Sequence, residues 1–196
     1  ESWAVQLADV PDGAMSCAAG TCPTLAAPSD GNRTWGGWIR PISASVLAGT
    51  ERRYLLDAEN GSGTLGYSLW YDADGATSAE YVTCSVHDGT NTQDIQSTSV
   101  NHLRLDEWTH VACTFNTDTN TTQVYVDGSV SGAAQTNATV LTSASEFKIG
   151  SNGTGDWSIF PGLYDEWFVH TKALTAEEIC RICSCGVQGV LCTCSS

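Results

Sequence analysis

The feature that most constrains the fold is an alternation of polar and apolar residues with a period of two, in short runs separated by turn residues. Glu80–Val86 and Trp108–Asn116 alternate in this way. Arg53–Asp57 and Leu65–Tyr71 flank an Asn-Gly-Ser-Gly segment that begins at Asn60. Asn and Gly tolerate the positive φ of a tight hairpin turn. Because successive side chains of a strand point to opposite faces, these runs predict half-buried antiparallel strands.

The rest of the chain repeats this pattern until a single helical signal appears near its end. Further strands are predicted at Ala4–Asp9, Thr34–Pro41, Thr122–Val126, Phe147–Gly150 and Phe160–His170. The segment Thr175-Ala-Glu-Glu178 has the pattern of a capping box and predicts a short helix as far as Ile182. The Cys-rich sequence that follows is too short for a second core. We therefore predict an all-β fold of two packed antiparallel sheets, one short C-terminal helix and a disulfide-stapled tail.

Charge and hydropathy exclude two classes of partner. The 196 residues include 22 acidic and 8 basic side chains, which gives a net charge of −14. Nucleic acids and anionic membranes require a basic surface that eight scattered cations do not form. No run of about 18 apolar residues occurs. We expect neither nucleic acid binding nor membrane insertion.

Nine cysteines and five Asn-x-Ser/Thr triplets indicate an oxidising, extracellular compartment, either secreted or at the cell surface. The candidate glycosylation sites are Asn32, Asn60, Asn120, Asn137 and Asn152. The disulfide candidates are Cys17, Cys22, Cys84, Cys113, Cys180, Cys183, Cys185, Cys192 and Cys194. Cys17 and Cys22 close a short loop of small residues, which permits a local bridge. The tail has five cysteines, and their connectivity stays open. Because five is an odd number, one thiol is left that can form a bridge to another chain. A thiolate metal cluster in the tail is the competing interpretation.

A set of ordered motifs resembles a known family. The motifs are Trp35–Pro41, Trp108–Ala112, Val124–Gly128, Phe147–Gly150, Phe160–Gly162 with Asp165 and Glu166, and Ala173–Ile179. Over residues 1–180 they resemble the laminin-G-like, concanavalin A-like jelly roll. The resemblance implies a two-sheet antiparallel jelly-roll sandwich over residues 1–179, with residues 180–196 as an added tail. It also makes the strands of Cys84 and Cys113 neighbours, which implies a cross-strand bridge; two buried free thiols are the alternative.

The sequence gives little support for an enzyme. Retaining glycosidases need two carboxylates about 5 Å apart, and members of this fold usually place them in a Glu-x-Asp-x-Glu string, which is absent here. Asp57-x-Glu59 and Asp72-x-Asp74 come nearest, but both run into turn residues, so we interpret them as solvated or turn-capping acids. No Gly-x-Ser-x-Gly elbow occurs. His110 is interpreted as a packed, hydrogen-bonded strand residue.

Two kinds of binding residue remain. Sugar recognition needs an aromatic plane, and Trp70, Tyr71 and Trp157 are the candidates for exposure. No cofactor is required, but the resemblance implies a calcium site at one rim of the sandwich. Its candidate ligands are Asp57, Glu59, Asn60, Asn152 and Asp156. Glycosylation of either asparagine conflicts with this role.

The resemblance implies a secreted, non-catalytic recognition or adhesion module that binds glycan or extracellular protein through the loops of the sandwich. The alternative is a glycosylated structural subunit of an extracellular filament, sheath or matrix, whose partners are copies of itself. The acidity of the chain and the absence of an obvious ligand cluster favour the alternative.

Overall fold

The computed structural model describes residues 15–18, 31–43, 52–59, 65–74, 79–98, 103–136, 146–151, 159–185 and 192. Several predicted features lie outside these residues. They are the strand Ala4–Asp9, Cys22, Asn60, Asn137, Asn152, Asp156, Trp157 and Cys194.

The described residues form twelve strands and one helix. The strands are β1 (Met15–Ala18), β2 (Arg33–Pro41), β3 (Arg52–Glu59), β4 (Leu65–Asp74), β5 (Ala79–Asp88), β6 (Thr92–Gln96), β7 (Thr109–Asn116), β8 (Thr121–Val126), β9 (Ser129–Val130), β10 (Gln135–Thr136), β11 (Glu146–Ile149) and β12 (Gly162–His170). The helix is α1 (Ala176–Ser184).

The strands form two antiparallel sheets, as predicted. Sheet 1 has the order β1-β11-β3-β4-β5-β6. Sheet 2 has the order β10-β8-β7-β2-β12, with β9 paired to β8. The strands β1, β6, β9 and β10 were not expected from the sequence; the last two have only two residues each, too few for an alternating pattern. The all-β sandwich with one short C-terminal helix is confirmed.

The two sheets pack their inner faces into one apolar core. Tyr67, Leu69 and Tyr71 of β4 lie in this core with Trp35 of β2. The Trp35 ring lies 4.8 Å from that of Tyr67, and its Nε1 donates to the Ser68 carbonyl at 3.3 Å. This bond crosses the core, because the two residues belong to different sheets. Alternation along β4 therefore sends its apolar residues inward and the residues between them outward.

A disulfide joins the two sheets. Cys84 of β5 and Cys113 of β7 are bonded, with their Cα atoms 5.9 Å apart. The pairing agrees with the prediction, but the two strands belong to different sheets and are not neighbours within one. The bridge therefore closes the sandwich across its core.

Consecutive glycines in β2 allow sheet 2 to pack tightly. A Cβ atom on Gly37 would lie 2.6 Å from Cγ of Trp167, whose ring covers the glycine. Trp167 Nε1 donates to the Trp38 carbonyl at 3.0 Å. The Trp-Gly-Gly-Trp sequence thus makes room for one aromatic ring against the backbone.

Helix α1 begins with the predicted capping box. Thr175 Oγ1 accepts from Glu178 N at 3.2 Å, and Glu178 Oε2 accepts from Thr175 N at 2.8 Å. Ile179 packs with Ala112 and Phe168 on the outer face of sheet 2. The helix runs through the boundary predicted between residues 179 and 180, so the start of the Cys-rich segment is helical.

Candidate functional site

The outer face of sheet 1 carries a cluster of polar and aromatic side chains, which we call the polar face. The strand register aligns it in rows: Asp57 is opposite Ser68, Ser68 opposite Ser85, and Ser85 opposite Asp94. Further rows pair Tyr54 with Trp70 and Trp70 with Thr83. The polar face comprises Tyr54, Asp57, Glu59, Ser68, Trp70, Thr83, Ser85, His87 and Asp94.

Asp57 and Glu59 are buried on this face. Their exposed fractions are 6% and 8%, and both lie within β3. The interpretation of this pair as solvated or turn-capping acids is therefore wrong. The strand extends two residues further than predicted, which keeps both carboxylates on the sheet instead of in a turn.

His87 connects the polar groups of three strands. Its Nε2 lies 3.1 Å from Glu59 Oε1 and 2.9 Å from Ser85 Oγ, while its Nδ1 lies 2.9 Å from Thr92 Oγ1. Ser85 Oγ in turn donates to Asp94 Oδ1 at 2.6 Å. A protonated His87 donates from both ring nitrogens and balances the two carboxylates around it.

The surroundings move the pKa values of these groups apart. Burial, helped by the charge of Glu59, raises the pKa of Asp57 to about 7. Burial also acts to raise the pKa of Glu59, but the hydrogen bond and charge of His87 outweigh it, so that pKa falls. Burial acts to lower the pKa of His87, but the hydrogen bond and charge of Glu59 raise it overall. Asp57 is therefore part protonated near pH 7, while each member of the Glu59–His87 pair favours the charged form of the other.

The network does not activate a nucleophile. Ser85 is fully buried, and its hydroxyl proton is directed to Asp94. His87 Nε2 faces both the Ser85 oxygen and Glu59, so it carries a proton there and is not free to accept one. The arrangement can hold and balance charge, and it does not form a Ser-His hydrolase pair.

The aromatic residues predicted to be exposed are buried. Trp70 is 2% exposed and Tyr71 is fully buried. Tyr71 points into the core, where its ring lies 6.1 Å from Phe160. Trp70 lies on the polar face, where the Arg52 guanidinium lies 4.6 Å from its ring centroid and the Tyr54 ring 5.7 Å away. The prediction that either presents an open stacking surface is wrong, because Arg52 already covers the Trp70 ring.

The predicted calcium site is only partly described. Asp57 and Glu59 share the polar face, whereas Asn60, Asn152 and Asp156 lie outside the described residues. Within the described part of the chain, no group of three or more His, Cys, Asp or Glu side chains is arranged to hold a metal ion. The calcium site stays a prediction.

The tail cysteines are partly paired. Cys183 and Cys192 form a disulfide with Cα atoms 5.8 Å apart, and Cys180 is also disulfide-bonded. A thiolate metal cluster built on these three residues is therefore excluded. Cys185, the C-cap of α1, is a free and exposed thiol.

Three more predicted sites fall on described segments. Asn32 is half-buried, and its side-chain oxygen accepts from the backbone N–H and hydroxyl of Thr117 at 2.8 and 3.1 Å. Asn120 lies at φ +56° in the turn between β7 and β8. Cys17 lies in β1, and its predicted partner is not described. Glycosylation and the Cys17–Cys22 bridge stay predictions.

His110 is packed as expected, but its ring is not hydrogen-bonded. It is fully buried on β7, with the Trp38 ring 5.3 Å away and the Phe168 ring 6.2 Å away. Neither ring nitrogen has a partner. Burial lowers its pKa to about 4.

Several residues of the polar face were not found by sequence reasoning. Thr83, Ser85 and His87 alternate with the buried apolar residues of β5, so the period of two was a signal that they share one face. Their meeting with Glu59 and Asp94 depends on the strand register, which one sequence does not give.

Comparison with known proteins identifies one matching family. Residues 17–180 match a laminin G family model described as the concanavalin A-like lectin/glucanases superfamily. No curated protein matches the sequence. Among the described residues, no helix has both the length and the apolar character needed to cross a membrane.

Similar solved structures share the fold at low identity. A heptameric SAP-like pentraxin from Limulus polyphemus is 16% identical, with 89% of this chain and 84% of that chain covered and a TM-score of 0.58. The CBM40 of Ruminococcus gnavus IT-sialidase, solved bound to alpha2,3 sialyllactose, is 13% identical, with coverages of 77% and 82% and a TM-score of 0.54. The receptor binding domain of botulinum neurotoxin D is 12% identical, with coverages of 93% and 43% and a TM-score of 0.65. The chain spans less than half the length of that toxin domain.

Proposed function

This chain belongs to the concanavalin A-like lectin/glucanases superfamily, and from this premise we propose that it is a non-catalytic recognition module of the extracellular space that binds glycan or protein. The proposal rests chiefly on the polar face. Its hydrogen-bonding and aromatic side chains lie on the outer face of sheet 1, apart from the apolar core between the sheets, and most of them are buried there. A small number of precisely placed polar groups beside aromatic rings is typical of sites that bind small ligands such as sugars.

The structural neighbours support recognition as the activity. The CBM40 structure is a complex with sialyllactose, and the botulinum domain is a receptor binding domain. Both share the fold of this chain, and both act by binding.

The geometry of the carboxylates supports a non-catalytic role. Asp57 and Glu59 have pKa values shifted in opposite directions, as an acid and a nucleophile require. However, hydrolysis of a polysaccharide needs an open cleft with sugar on both sides of the broken bond, and both residues are more than nine-tenths buried. The pairing of Glu59 with His87 accounts for the lowered pKa without any substrate.

The disulfides support an extracellular location. Cys84–Cys113 and Cys183–Cys192 persist in oxidising compartments, whereas cytosolic thiols are kept reduced.

An array of neutral and acidic glycans, together with extracellular matrix proteins, tests this proposal. The labelled full chain should be retained by at least one class of glycan or protein, and retained glycan should be recovered intact. Release of shortened sugars would contradict the non-catalytic part of the proposal. Absence of binding to every spot would contradict recognition itself.

We propose a structural, self-assembling subunit as the second candidate, because of one specific observation. Cys185 is an exposed free thiol in a chain with an odd number of cysteines. Native material should then give ladders on non-reducing electrophoresis that collapse on reduction, and a Cys185→Ser variant should give none. Monomeric wild-type protein under both conditions would contradict this candidate.

A further inference from the structure

Four of the five candidate glycosylation sites lie next to the end of a strand. Asn32 directly precedes β2, and Asn120 directly precedes β8. Asn60 and Asn137 lie outside the described residues, but they directly follow the last residues of β3 and β10. Because consecutive Cα atoms are about 3.8 Å apart, the positions of these strand ends locate all four asparagines.

Three of these strand ends meet at one end of sheet 2. Thr121, the first residue of β8, is opposite Thr136, the last residue of β10. The Asn32 side-chain oxygen accepts from Thr117 N, in the turn between β7 and β8, at 2.8 Å. The start of β2 therefore lies beside that turn as well. We call this end of the sandwich the β7–β8 end.

Sheet 1 brings the end of β3 to the same place. Glu59, the last residue of β3, is opposite Gly66 near the start of β4. The ring of Tyr67, the next residue of β4, lies 5.4 Å from the guanidinium of Arg33, which is the first residue of β2. The segment that begins at Asn60 therefore starts at the β7–β8 end.

The fifth site is displaced toward the opposite end of the sandwich. β11 is antiparallel to β3, so it runs away from the β7–β8 end. Beyond β11, Gly150 N donates to the carbonyl of Leu55 at 3.0 Å. Asn152 lies outside the described residues and comes two positions after Gly150. Four sites thus share one end, and Asn152 is apart from them.

The two described asparagines can carry a sugar without loss of their roles in the fold. An N-linked sugar is attached to the side-chain nitrogen, whereas Asn32 contacts Thr117 through its side-chain oxygen. Asn120 has φ +56° in a turn whose preceding residues, Asp118 and Thr119, are exposed. Asn adopts this conformation more readily than most residues, and a sugar on its side chain does not alter the backbone.

We propose that N-linked sugars on Asn32, Asn60, Asn120 and Asn137 cap the β7–β8 end, so that a partner contacts this protein elsewhere. N-linked sugars are bulky, and four of them around one end leave no room there for the surface of another protein. The inference rests on the extracellular location in the proposed function and adds which surface its partner does not use.

The free thiol lies away from this cap. A Cβ atom on Gly128, in the turn that follows β8, would be 3.2 Å from Cβ of Cys183. β8 begins at the β7–β8 end, so this turn and the C-terminus of α1 lie at the opposite end. The exposed Cys185 thiol is therefore not obstructed by the sugars.

Glycopeptide mapping of the full chain, secreted from cultured eukaryotic cells, tests the cap. Enzymatic release of an N-linked sugar converts the asparagine that carried it to aspartate, which mass spectrometry locates. Asn32 and Asn120 should both carry sugar, together with at least one of Asn60 and Asn137. Any other pattern at these four sites would overturn the proposal.

Four substitutions remove the sugars with little effect on the fold. Asn120→Gly keeps the positive φ of the turn. Asn32→Asp keeps an oxygen that accepts from Thr117 N. Asn60→Gln and Asn137→Gln remove the other two acceptors. Melting temperatures show whether the combined variant has folded.

The affinity for a partner that the array retains tests where that partner binds. The combined variant should bind it as wild type does, because the partner contacts another surface. Asn152→Gln is the matched control, since it removes an acceptor displaced toward the opposite end. A change of affinity with Asn152→Gln alone also supports the proposal.

Two results of this measurement would overturn the proposal. A tenfold change of affinity in the combined variant alone, about 1.4 kcal/mol, would place the partner at the β7–β8 end. A similar change in both variants would mean that the sugars act irrespective of their position. If the array retains nothing, the recognition function fails, and the glycopeptide map alone decides whether the cap exists.

Discussion

Asp57 makes the stability of this protein depend on pH in a direction that is unusual for a carboxyl group. Its pKa is raised from 3.8 to about 7, so ionising it costs about 4 kcal/mol more in the folded protein than in the unfolded chain. A group with a raised folded pKa contributes stability below its unfolded pKa and loses it as the pH rises through the folded value. Between pH 5 and pH 8 this one group therefore costs the fold about 2.5 kcal/mol.

The Asp57→Asn variant isolates this effect. Asparagine has nearly the same shape and never ionises, so the variant should gain about 2.5 kcal/mol relative to wild type as the pH rises from 5 to 8. Urea unfolding at several pH values measures the difference. Asp118→Asn is the control, because Asp118 is exposed in the turn between β7 and β8. Parallel stability curves for wild type and Asp57→Asn would refute the argument that Asp57 ionises in a buried site.

Three further predictions concern other parts of the fold. The pKa of His110 is lowered from 6.5 to about 4, so wild type should lose about 3 kcal/mol between pH 7 and pH 4, and His110→Phe should not show this loss in acid unfolding curves. Thr175→Ala removes the capping bond to Glu178 N and should cost about 1 kcal/mol in urea unfolding, whereas Thr119→Ala in an exposed turn should cost less than half as much. Replacing both Cys84 and Cys113 by alanine removes the bridge between the sheets and should cost about 3 kcal/mol; an unchanged melting temperature would contradict the role given to this bridge.

Local signals in the sequence were enough to predict the architecture. The alternation in β5 and β7 and the capping box of α1 appear in the structure because each depends on neighbours within a few residues. The end of β3 was misjudged, because the strand was predicted to end at Asp57 and instead continues to Glu59, directly before the Asn-Gly segment. That difference of two residues changed the interpretation of both carboxylates.

The candidate site could not be predicted to the same extent, because it depends on contacts between strands. Trp70 follows the alternation and points outward, but burial by Arg52 and Tyr54 is a property of the register between β3 and β4. The pairing of Glu59 with His87 joins residues 28 positions apart. Alternation predicts which face a residue occupies, and it does not predict what lies against that face.

A titration followed by NMR at the indole N–H groups tests most directly whether the polar face takes part in recognition. The chain has seven tryptophans, each with one indole resonance assignable by substitution to phenylalanine. On addition of a glycan or protein that the array retains, the resonance of Trp70, which lies on the polar face, should move with saturation while those of Trp38 and Trp167 on sheet 2 stay in place. A saturable shift at other tryptophans with none at Trp70 would contradict the account.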